Sequence, residues 1–454
     1  MTESIAEPIT APDSLTVYVE TYGCQMNVSD SELMLGKLAA IGYAPVDRPD
    51  GADVILVNTC AIREHAEQRV IGRLGELKRF MKPGAIVGVT GCMAQRLGPR
   101  LLQSARHVSL VIGPDGYRAL PELIEGARRG RRVTATEFDL EEHYEDFAAR
   151  RFDNVKAWIP VQRGCDYRCT YCIVPTTRGP ERSRQLDDVI RETRQVVADG
   201  MSEVVLLGQT VNSYHDGAHD FADLLRAVGA VDGIRRVRFT SPHPNDFSDR
   251  VIAAMAETGA VCEHVHLPMQ SGSTKTLKRM LRRYSREGYL DCVARLRTAV
   301  PGLALTTDVI VGFPGETEDD FTETLSAVEA VGFADAYTFK FSPREGTPAT
   351  RMPAEETIGD DVASERLERL ITLVRAKARD KNLGLLGTRH EILVERMARR
   401  GEALQARTRD FKTVLIPPDS AQLGDYLTVE LTGTTGSTFT GAVVGDRQPL
   451  PMAG

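Results

Sequence analysis

The chain has 454 residues, and its 56 basic and 63 acidic side chains give a net charge of −7. At roughly 150 residues per domain, this length predicts about three domains. The acidic balance excludes a uniformly basic nucleic-acid-binding surface, although a local basic face remains compatible with it. No apolar run reaches the ~20 residues of a membrane span, so we expect a cytoplasmic protein without a membrane partner. In that compartment the eight cysteines are better explained as metal ligands, reactive thiols or core residues than as disulfides.

The N-terminal region, residues 15–130, alternates strands with helices. Apolar, β-branched runs predict three strands, at residues 15–20, 53–58 and 85–90. A capping-box pattern at residues 29–32 predicts the start of the first helix. This alternation is typical of an α/β domain with a parallel sheet. A basic and then acidic segment predicts a surface linker over residues 131–150.

Strand–helix alternation resumes over residues 151–383. Six strands are predicted, at residues 158–161, 203–207, 236–239, 264–267, 306–311 and 336–341. Six such units indicate a partial (βα)6 barrel, an incomplete relative of the eight-stranded barrel, whose active sites lie at the carboxyl ends of the strands. A charge-rich amphipathic helix is predicted over residues 363–383.

The C-terminal region, residues 384–447, has short β-like runs separated by Gly, Pro and Asp. They lie at residues 391–395, 412–416, 426–431 and 438–444. This pattern predicts a small antiparallel β-barrel. An RNA-binding face is one interpretation of its basic residues together with Phe411, and these are Arg396, Arg399, Arg400, Arg407, Arg409 and Lys412. A second basic run over residues 275–286 is explained equally well by contact with RNA phosphates or by a solvated helix face.

The strongest single pattern is Cys165, Cys169 and Cys172, with the spacing C-x3-C-x2-C, directly after the first barrel strand. Three thiolates this close need a metal centre to neutralise their charge. A structural zinc site would need a fourth ligand, and no Cys or His lies nearby. Three thiolates suit a four-iron cluster with one open iron, although a zinc loop completed by a distant ligand remains an alternative. With Tyr171 before the third cysteine, the spacing resembles the signature of the radical S-adenosylmethionine (SAM) superfamily.

Cys24, Cys60 and Cys92 each follow a predicted strand of the N-terminal domain. The intervals between them are each about one strand–helix repeat of roughly 30 residues or more. Because parallel strands end at one edge of a sheet, we expect the three thiols to converge there. The alternative is three unrelated buried cysteines, since Cys is among the most buried residue types. Cys262 and Cys292 have no such pattern and are predicted to be core residues.

Three segments around these cysteines resemble the methylthiotransferases of the radical SAM superfamily: residues 21–27 (TYGCQMN), 58–66 (NTCAIREHA) and 91–96 (GCMAQR). Five more segments share the resemblance: residues 162–172, 208–214, 241–244, 266–272 and 342–348. Within the family, the first two resemble the MiaB group, which modifies isopentenyladenosine in tRNA, rather than the group that modifies a ribosomal-protein aspartate. The C-terminal region resembles a TRAM domain, a small RNA-binding β-barrel.

The resemblance implies two [4Fe-4S] clusters and SAM as cofactors. Cys165, Cys169 and Cys172 would hold the cluster at which SAM is cleaved to methionine and a 5′-deoxyadenosyl radical. Cys24, Cys60 and Cys92 would hold a second cluster, associated with the sulfur that SAM methylates. The radical would abstract the hydrogen at C2 of N6-isopentenyladenosine 37, next to the tRNA anticodon, and the methylthio group would join that carbon.

The implied partners are the anticodon stem-loop of tRNA and a low-potential electron donor such as flavodoxin or ferredoxin. SAM or substrate contacts are expected from residues at or near barrel strand ends, with Tyr171 packing on the SAM adenine; they are Tyr171, Gln209, Asn212, Ser241, His266, Gln270 and Asp308. For each of them a hydrogen-bonded or packed loop residue is the alternative. Other targets also remain open, namely threonylcarbamoyl-adenosine in tRNA or a protein side chain, as does a non-catalytic, zinc-containing RNA-binding protein. The oligomeric state is not predicted.

Overall fold

A computed structural model describes residues 15–61, 64–145, 148–399 and 401–445. The chain forms two compact units. Unit 1 runs to Phe152 and also contains the segment Ile173–Arg182, whereas unit 2 contains Asp153–Cys172 and the chain from Ser183 onwards.

Unit 1 contains a parallel sheet of six strands in the order β2-β1-β3-β4-β5-β6. The strands are β1 (Thr16–Thr21), β2 (Ala44–Pro45), β3 (Val54–Thr59), β4 (Ile86–Gly91), β5 (Leu110–Ile112) and β6 (Val133–Ala135). The helices are α1 (Gln25–Ala39), α2 (Glu64–Leu77), α3 (Cys92–Leu97), α4 (Pro99–Ser104), α5 (Leu120–Arg128) and α6 (Val174–Arg178). Alternate residues of β3 enter two different core clusters, so both faces of the sheet centre are covered.

Unit 2 begins with a partial barrel of six parallel strands. Three form the sheet β11-β10-β7 and three the sheet β12-β13-β14, with a bridge from Val237 to Val261 beside the start of β12. The strands are β7 (Lys156–Pro160), β10 (Glu203–Leu207), β11 (Arg236–Phe239), β12 (His264–His266), β13 (Ala304–Val311) and β14 (Asp335–Lys340). Two short strands, β8 (Gln162–Arg163) and β9 (Arg182–Ser183), follow β7. The helices are α7 (Leu186–Ala198), α8 (Phe221–Gly229), α9 (Asp249–Glu257), α10 (Thr274–Arg279), α11 (Arg286–Ala299), α12 (Glu318–Val331) and α13 (Asp360–Leu383). The predicted (βα)6 architecture is confirmed.

The end of unit 2 is a closed five-stranded barrel in the order β15-β16-β17-β19-β18. Its strands are β15 (Arg389–Met397), β16 (Leu404–Thr408), β17 (Thr413–Ile416), β18 (Tyr426–Thr434) and β19 (Thr438–Val443). The predicted small β-barrel is therefore confirmed, with two differences. The sequence prediction lacked β16, and β17 pairs with β19 in parallel rather than antiparallel fashion.

The first helix begins earlier than predicted. Helix α1 starts at Gln25 with Cys24 as its N-cap residue, so the supposed capping box at residues 29–32 lies inside the helix. Glu32 is buried there and accepts a hydrogen bond from the backbone nitrogen of Phe152, because a tertiary contact overrides the local pattern. Strand β6 lies within the segment predicted to be a linker and pairs with β5.

Cys262 and Cys292 are buried, as predicted for core residues. Burial raises the pKa of both thiols. Among the described residues, no helix combines the length and apolar character that a membrane crossing requires.

Candidate functional site: two sets of three cysteines

In unit 1, Cys24, Cys60 and Cys92 follow three neighbouring parallel strands. Strand β1 pairs with β3, and β3 pairs with β4. The register Thr59 opposite Gly91 places Cys60 and Cys92 one residue beyond paired positions. A Cβ atom built on Gly23 would lie 2.6 Å from the Cβ of Cys60, so the loop that carries Cys24 passes directly against Cys60. The structure thus brings the three cysteines to one edge of the sheet.

Two buried asparagines join the loops of this edge. Asn27 donates to Asn58 Oδ1 at 3.0 Å and to the carbonyl of Thr59 at 3.1 Å. Asn58 in turn donates to the carbonyl of Asn27 at 2.7 Å. The Cys24 thiol donates to Asn27 Oδ1 at 3.4 Å. Because buried amides need partners, this reciprocal pair fixes the Cys24 loop against the end of β3.

Cys92 has a cationic neighbour that sequence reasoning missed. Arg178 Nε donates to Cys92 Sγ at 3.1 Å, and Arg178 Nη2 lies 2.7 Å from Asp30 Oδ2. Burial raises the pKa of the Cys92 thiol, whereas the Arg178 charge opposes this rise. No local pattern signals the contact, because Arg178 follows Cys92 by 86 positions.

In unit 2, the loop with Cys165, Cys169 and Cys172 follows β8. Cys165 Sγ lies 3.2 Å from Thr210 Oγ1, and Cys169 Sγ accepts a long hydrogen bond, 3.5 Å, from Arg282 Nη1. The backbone nitrogen of Cys172 donates to the carbonyl of Cys169 at 3.0 Å, which folds the last two cysteines into one turn.

Gln162 joins this loop to the end of β10. Its buried side chain donates to the carbonyl of Gly164 at 2.7 Å and accepts from the backbone nitrogens of Gln209 at 2.8 Å and Thr210 at 3.2 Å. Gln209 Oε1 accepts from the backbone nitrogen of Gly164 at 2.6 Å. Gln209, predicted to contact SAM, therefore uses this oxygen to hold the cysteine loop.

Four of the other predicted contact residues fall into three groups. Tyr171 packs against Met280 and Phe313 next to the cysteines. Both amide atoms of Asn212 bond to the backbone of His243. Two more stand in a strained backbone conformation at strand ends: Ser241 has φ +58° and Gln270 has φ +65°. Such strain in residues other than glycine is concentrated at functional sites.

His266 and Asp308 lie inside the partial barrel. Burial alternates along β13, and its buried residues, such as Val309, belong to the core under the helices. Asp308 therefore points to the other side, into the barrel. His266 Nε2 lies 3.3 Å from Asp308 Oδ2, and His266 Nδ1 lies 3.0 Å from Thr306 Oγ1. The ring of Tyr337 stands edge-on at 5.8 Å from His266. The barrel interior thus presents an imidazole, a carboxylate and a phenol ring.

The C-terminal barrel packs on the amino ends of β7, β11 and β12, opposite the cysteine loop. At the first residues of the strands, Lys156 pairs with Glu395 at 2.9 Å and the fully buried Arg236 pairs with Glu391 at 2.9 Å. Arg409 pairs with Glu263 at 2.8 Å, just before β12. These three pairs are at least partly buried and join the two barrels at separate points. The C-terminal barrel is thereby held in one orientation on the partial barrel.

These contacts change the interpretation of the basic residues. Arg409 pairs with Glu263 and Phe411 stacks on His264, so this part of the predicted face lies against the partial barrel, whereas Arg407 pairs with Glu395 inside the C-terminal barrel. Arg396 and Arg399 remain exposed, whereas Arg400 lies outside the described residues.

The basic run over residues 275–286 is also partly occupied by internal contacts. Lys275 pairs with Asp320, Arg279 with Glu356, and Arg282 contacts Cys169. Lys278 and Arg283 are exposed, so part of this run faces solvent and part is paired internally.

The donor sets fit iron–sulfur clusters. Each set has three thiols and a guanidinium against one sulfur, which offsets thiolate charge. Over the described ranges, no three or more His, Cys, Asp or Glu side chains are grouped so as to hold a single metal ion. In a four-iron cluster, each thiolate binds a different iron.

A six-stranded partial barrel with a C-x3-C-x2-C loop after its first strand defines a radical SAM protein. The model of the radical SAM superfamily matches residues 159–328, and a second model, uncharacterized protein family UPF0004, matches residues 16–113. Two solved structures share the fold. They are the radical SAM methyltransferase TsrM from Kitasatospora setae (TM-score 0.57, 17% identity, 76% of this chain and 78% of that one) and the cobalamin-dependent enzyme OxsB (TM-score 0.53, 12% identity, 80% and 56%).

Three curated relatives cover almost the whole chain, and each is named tRNA-2-methylthio-N(6)-dimethylallyladenosine synthase. The relative from Acidothermus cellulolyticus is 45% identical over 93% of this chain and 87% of its own length. The relative from Geobacter sulfurreducens is 43% identical over 95% and 98%. The relative from Geobacillus thermodenitrificans is 43% identical over 94% and 83%. The chain belongs to this family of tRNA-2-methylthio-N(6)-dimethylallyladenosine synthases.

Proposed function

We propose that the protein adds a methylthio group to C2 of N6-isopentenyladenosine at position 37 of tRNA, with SAM and two [4Fe-4S] clusters as cofactors. The observation that carries the proposal is the convergence of Cys24, Cys60 and Cys92 at one sheet edge. SAM cleavage by itself would need only Cys165, Cys169 and Cys172. The full-length family match supports the same reaction.

Cys165, Cys169 and Cys172 would hold the cluster that binds SAM, and Cys24, Cys60 and Cys92 would hold the second cluster. When bound, the clusters and SAM supply the one-electron and sulfur chemistry that an unactivated C2–H bond requires. The protein holds the reacting groups in place and excludes water.

Several residues around the first set would perform this positioning. Thr210 approaches Cys165, and Arg282 approaches Cys169. Gln162 ties the cysteine loop to the end of β10, so the thiols keep a fixed place relative to the barrel strands. Tyr171, which packs against Met280 and Phe313, would form one side of the SAM adenine pocket. Ser241, Gln270 and the backbone around Asn212 would form the walls of the SAM cleft.

His266 and Asp308 would recognise the adenine base. An N6-substituted adenine offers ring-nitrogen acceptors and one N–H donor. The imidazole and the carboxylate, 3.3 Å apart, supply complementary groups inside the barrel. Tyr337 would stack with the base, as aromatic residues commonly do with unstacked RNA bases.

The C-terminal barrel, assigned to residues 384–447, would contact the anticodon stem-loop through exposed charges such as Arg396 and Arg399; residues 446–447 lie outside the described part of the chain. The N-terminal domain would extend beyond residue 130, because β6 pairs with β5 and unit 1 runs to Phe152, and the barrel domain would follow to residue 383. A low-potential donor such as flavodoxin or ferredoxin would reduce the cluster. We place the enzyme in the cytoplasm, where its tRNA substrate is found.

Mass spectrometry of tRNA nucleosides tests the proposal. A strain without the gene should lack 2-methylthio-isopentenyladenosine, and the intact gene should restore it. An unchanged level of 2-methylthio-isopentenyladenosine in the deletion strain would contradict the proposed substrate. Loss of a methylthio group from threonylcarbamoyl-adenosine or from a protein instead would make that molecule the substrate.

Cysteine variants separate the two sets. Cys169→Ala should abolish SAM cleavage, whereas Cys60→Ala should retain SAM cleavage but form no methylthio product. Cys292→Ala is the matched control, because Cys292 is buried in the core of unit 2 and belongs to neither set. Normal product from Cys60→Ala would refute the role of the unit 1 cysteines.

A further inference from the structure

Arg178 is a buried arginine whose guanidinium contacts both Cys92 and Asp30 in unit 1. Its side chain is 3% exposed and that of its partner Asp30 is 1% exposed. Nε donates to Cys92 Sγ, and Nη2 pairs with Asp30. Although Arg178 follows Cys172 in the chain, it packs within unit 1.

The third nitrogen of this guanidinium, Nη1, indicates that a ligand binds beside Cys92. Within the described part of the chain, Nη1 of Arg178 is buried without a hydrogen-bond partner. Leaving a buried charged donor without an acceptor is destabilising. Sulfur atoms of a cluster beside Cys92 would provide such an acceptor. The adjacent wall is apolar, since Ala61 and Ile173 pack around Cys92.

We propose that Arg178 is a positioning residue for the second cluster, which fixes the Cys92 thiolate and raises the reduction potential of the cluster. This inference rests on the proposed role of Cys24, Cys60 and Cys92. Hydrogen bonds to cluster sulfurs are among the factors that set such potentials. A cation in contact with the thiolate favours the reduced, more negative cluster, and Asp30 keeps the guanidinium in place.

Arg182 provides a matched control. It is equally buried in unit 1 and pairs with Asp115 at 3.0 Å through two nitrogens. Its side-chain hydrogen bonds go to this carboxylate and to backbone carbonyls, not to a cysteine. Removing this pair therefore tests whether any loss of a buried ion pair near α6 affects the cluster.

The experiment uses the full chain in which Cys165, Cys169 and Cys172 are changed to Ala, so that one cluster contributes to the spectrum. Asp30→Asn with Arg178→Gln removes both charges and leaves the net charge unchanged. Asp115→Asn with Arg182→Gln is the control. Iron per chain and the midpoint potential are measured, the latter by a redox titration followed by electron paramagnetic resonance.

We expect the Arg178 pair variant to lower the equilibrium constant of one-electron reduction about tenfold, which is about 59 mV toward negative potential, while the Arg182 pair variant matches the parent. Arg178→Lys keeps the positive charge but replaces the planar guanidinium with a compact ammonium group, so an intermediate shift is expected. An unchanged potential in both Arg178 variants, or an equal shift in the control, would overturn the inference. Absence of iron from the parent would instead overturn the proposed cluster site itself.

Discussion

Gly91 is the position where one added methyl group should disrupt the cysteine edge of unit 1. It is the last residue of β4 and directly precedes Cys92, with φ +87° and ψ −159°. A Cβ atom there would lie 2.4 Å from Asn58 Oδ1 and 2.6 Å from the carbonyl oxygen of Thr59. Neither atom can move easily, because Asn58 is held by the buried bonds to Asn27 and Thr59 belongs to the sheet.

For Gly91→Ala, backbone strain costs about 1–3 kcal/mol and overpacking adds about 1–3 kcal/mol, so unfolding free energy should fall by about 2–6 kcal/mol. Gly84→Ala is the control at the other end of the same strand. Gly84 also has positive φ, +82°, but a Cβ atom there meets no atom of the described residues within 4 Å. Its cost should be only the conformational one, about 1–2 kcal/mol.

Urea unfolding followed by circular dichroism measures both costs, and iron content measures the effect on the cluster. Gly91→Ala should lose the iron of the second set, whereas Gly84→Ala should keep it. Equal stability and equal iron in the two variants would refute the close packing inferred at the end of β4.

Three further predictions concern unit 2. Gln162→Leu leaves backbone groups of the Cys165 loop without their hydrogen-bond partner. It should reduce SAM cleavage strongly with little change in secondary structure. Full cleavage would show that other contacts hold the loop. Glu203→Gln removes the carboxylate that Arg238 bonds at 3.2 Å, and should destabilise the chain by about 3–5 kcal/mol in urea titrations; a loss below 1 kcal/mol would contradict the buried pairing. Burial opposes ionisation of Asp320, but hydrogen bonds to the carboxylate lower its pKa overall. The ionised carboxylate therefore stabilises the fold above the unfolded pKa of about 3.9, and this stabilisation is lost as the pH falls further. Asp320→Asn should flatten the acid side of the plot of unfolding free energy against pH, and an unchanged slope would contradict this role of Asp320.

The elements that carry the cysteines were predictable because their signals are local. Apolar strand cores and strand-end cysteines indicate a parallel sheet edge from sequence alone, and β3 and β4 lie where the patterns put them. The barrel strands β10 and β11 also match their predicted bounds. The prediction of both sets of thiols therefore rests on the spacing of the cysteines and on their position after the strands.

The side-chain partners that the sequence could not predict belong to contacts between residues far apart in the chain. The Arg178 side chain reaches Cys92 across 86 positions, and nothing near residue 178 distinguishes it from a surface arginine. Likewise, Arg407 and Arg409 have the same local appearance whether they face solvent or pair with Glu395 and Glu263. Charge counts show the presence of basic residues, whereas only tertiary packing shows which of them are already paired.

Anaerobic iron and sulfide analysis of three forms of the protein tests the central claim most directly. The intact chain should contain about eight irons, as expected for two four-iron clusters. Changing Cys24, Cys60 and Cys92 to Ala should leave about four, and changing Cys165, Cys169 and Cys172 to Ala should also leave about four. Full iron retention in either triple variant, or zinc in place of iron, would contradict the two-cluster account.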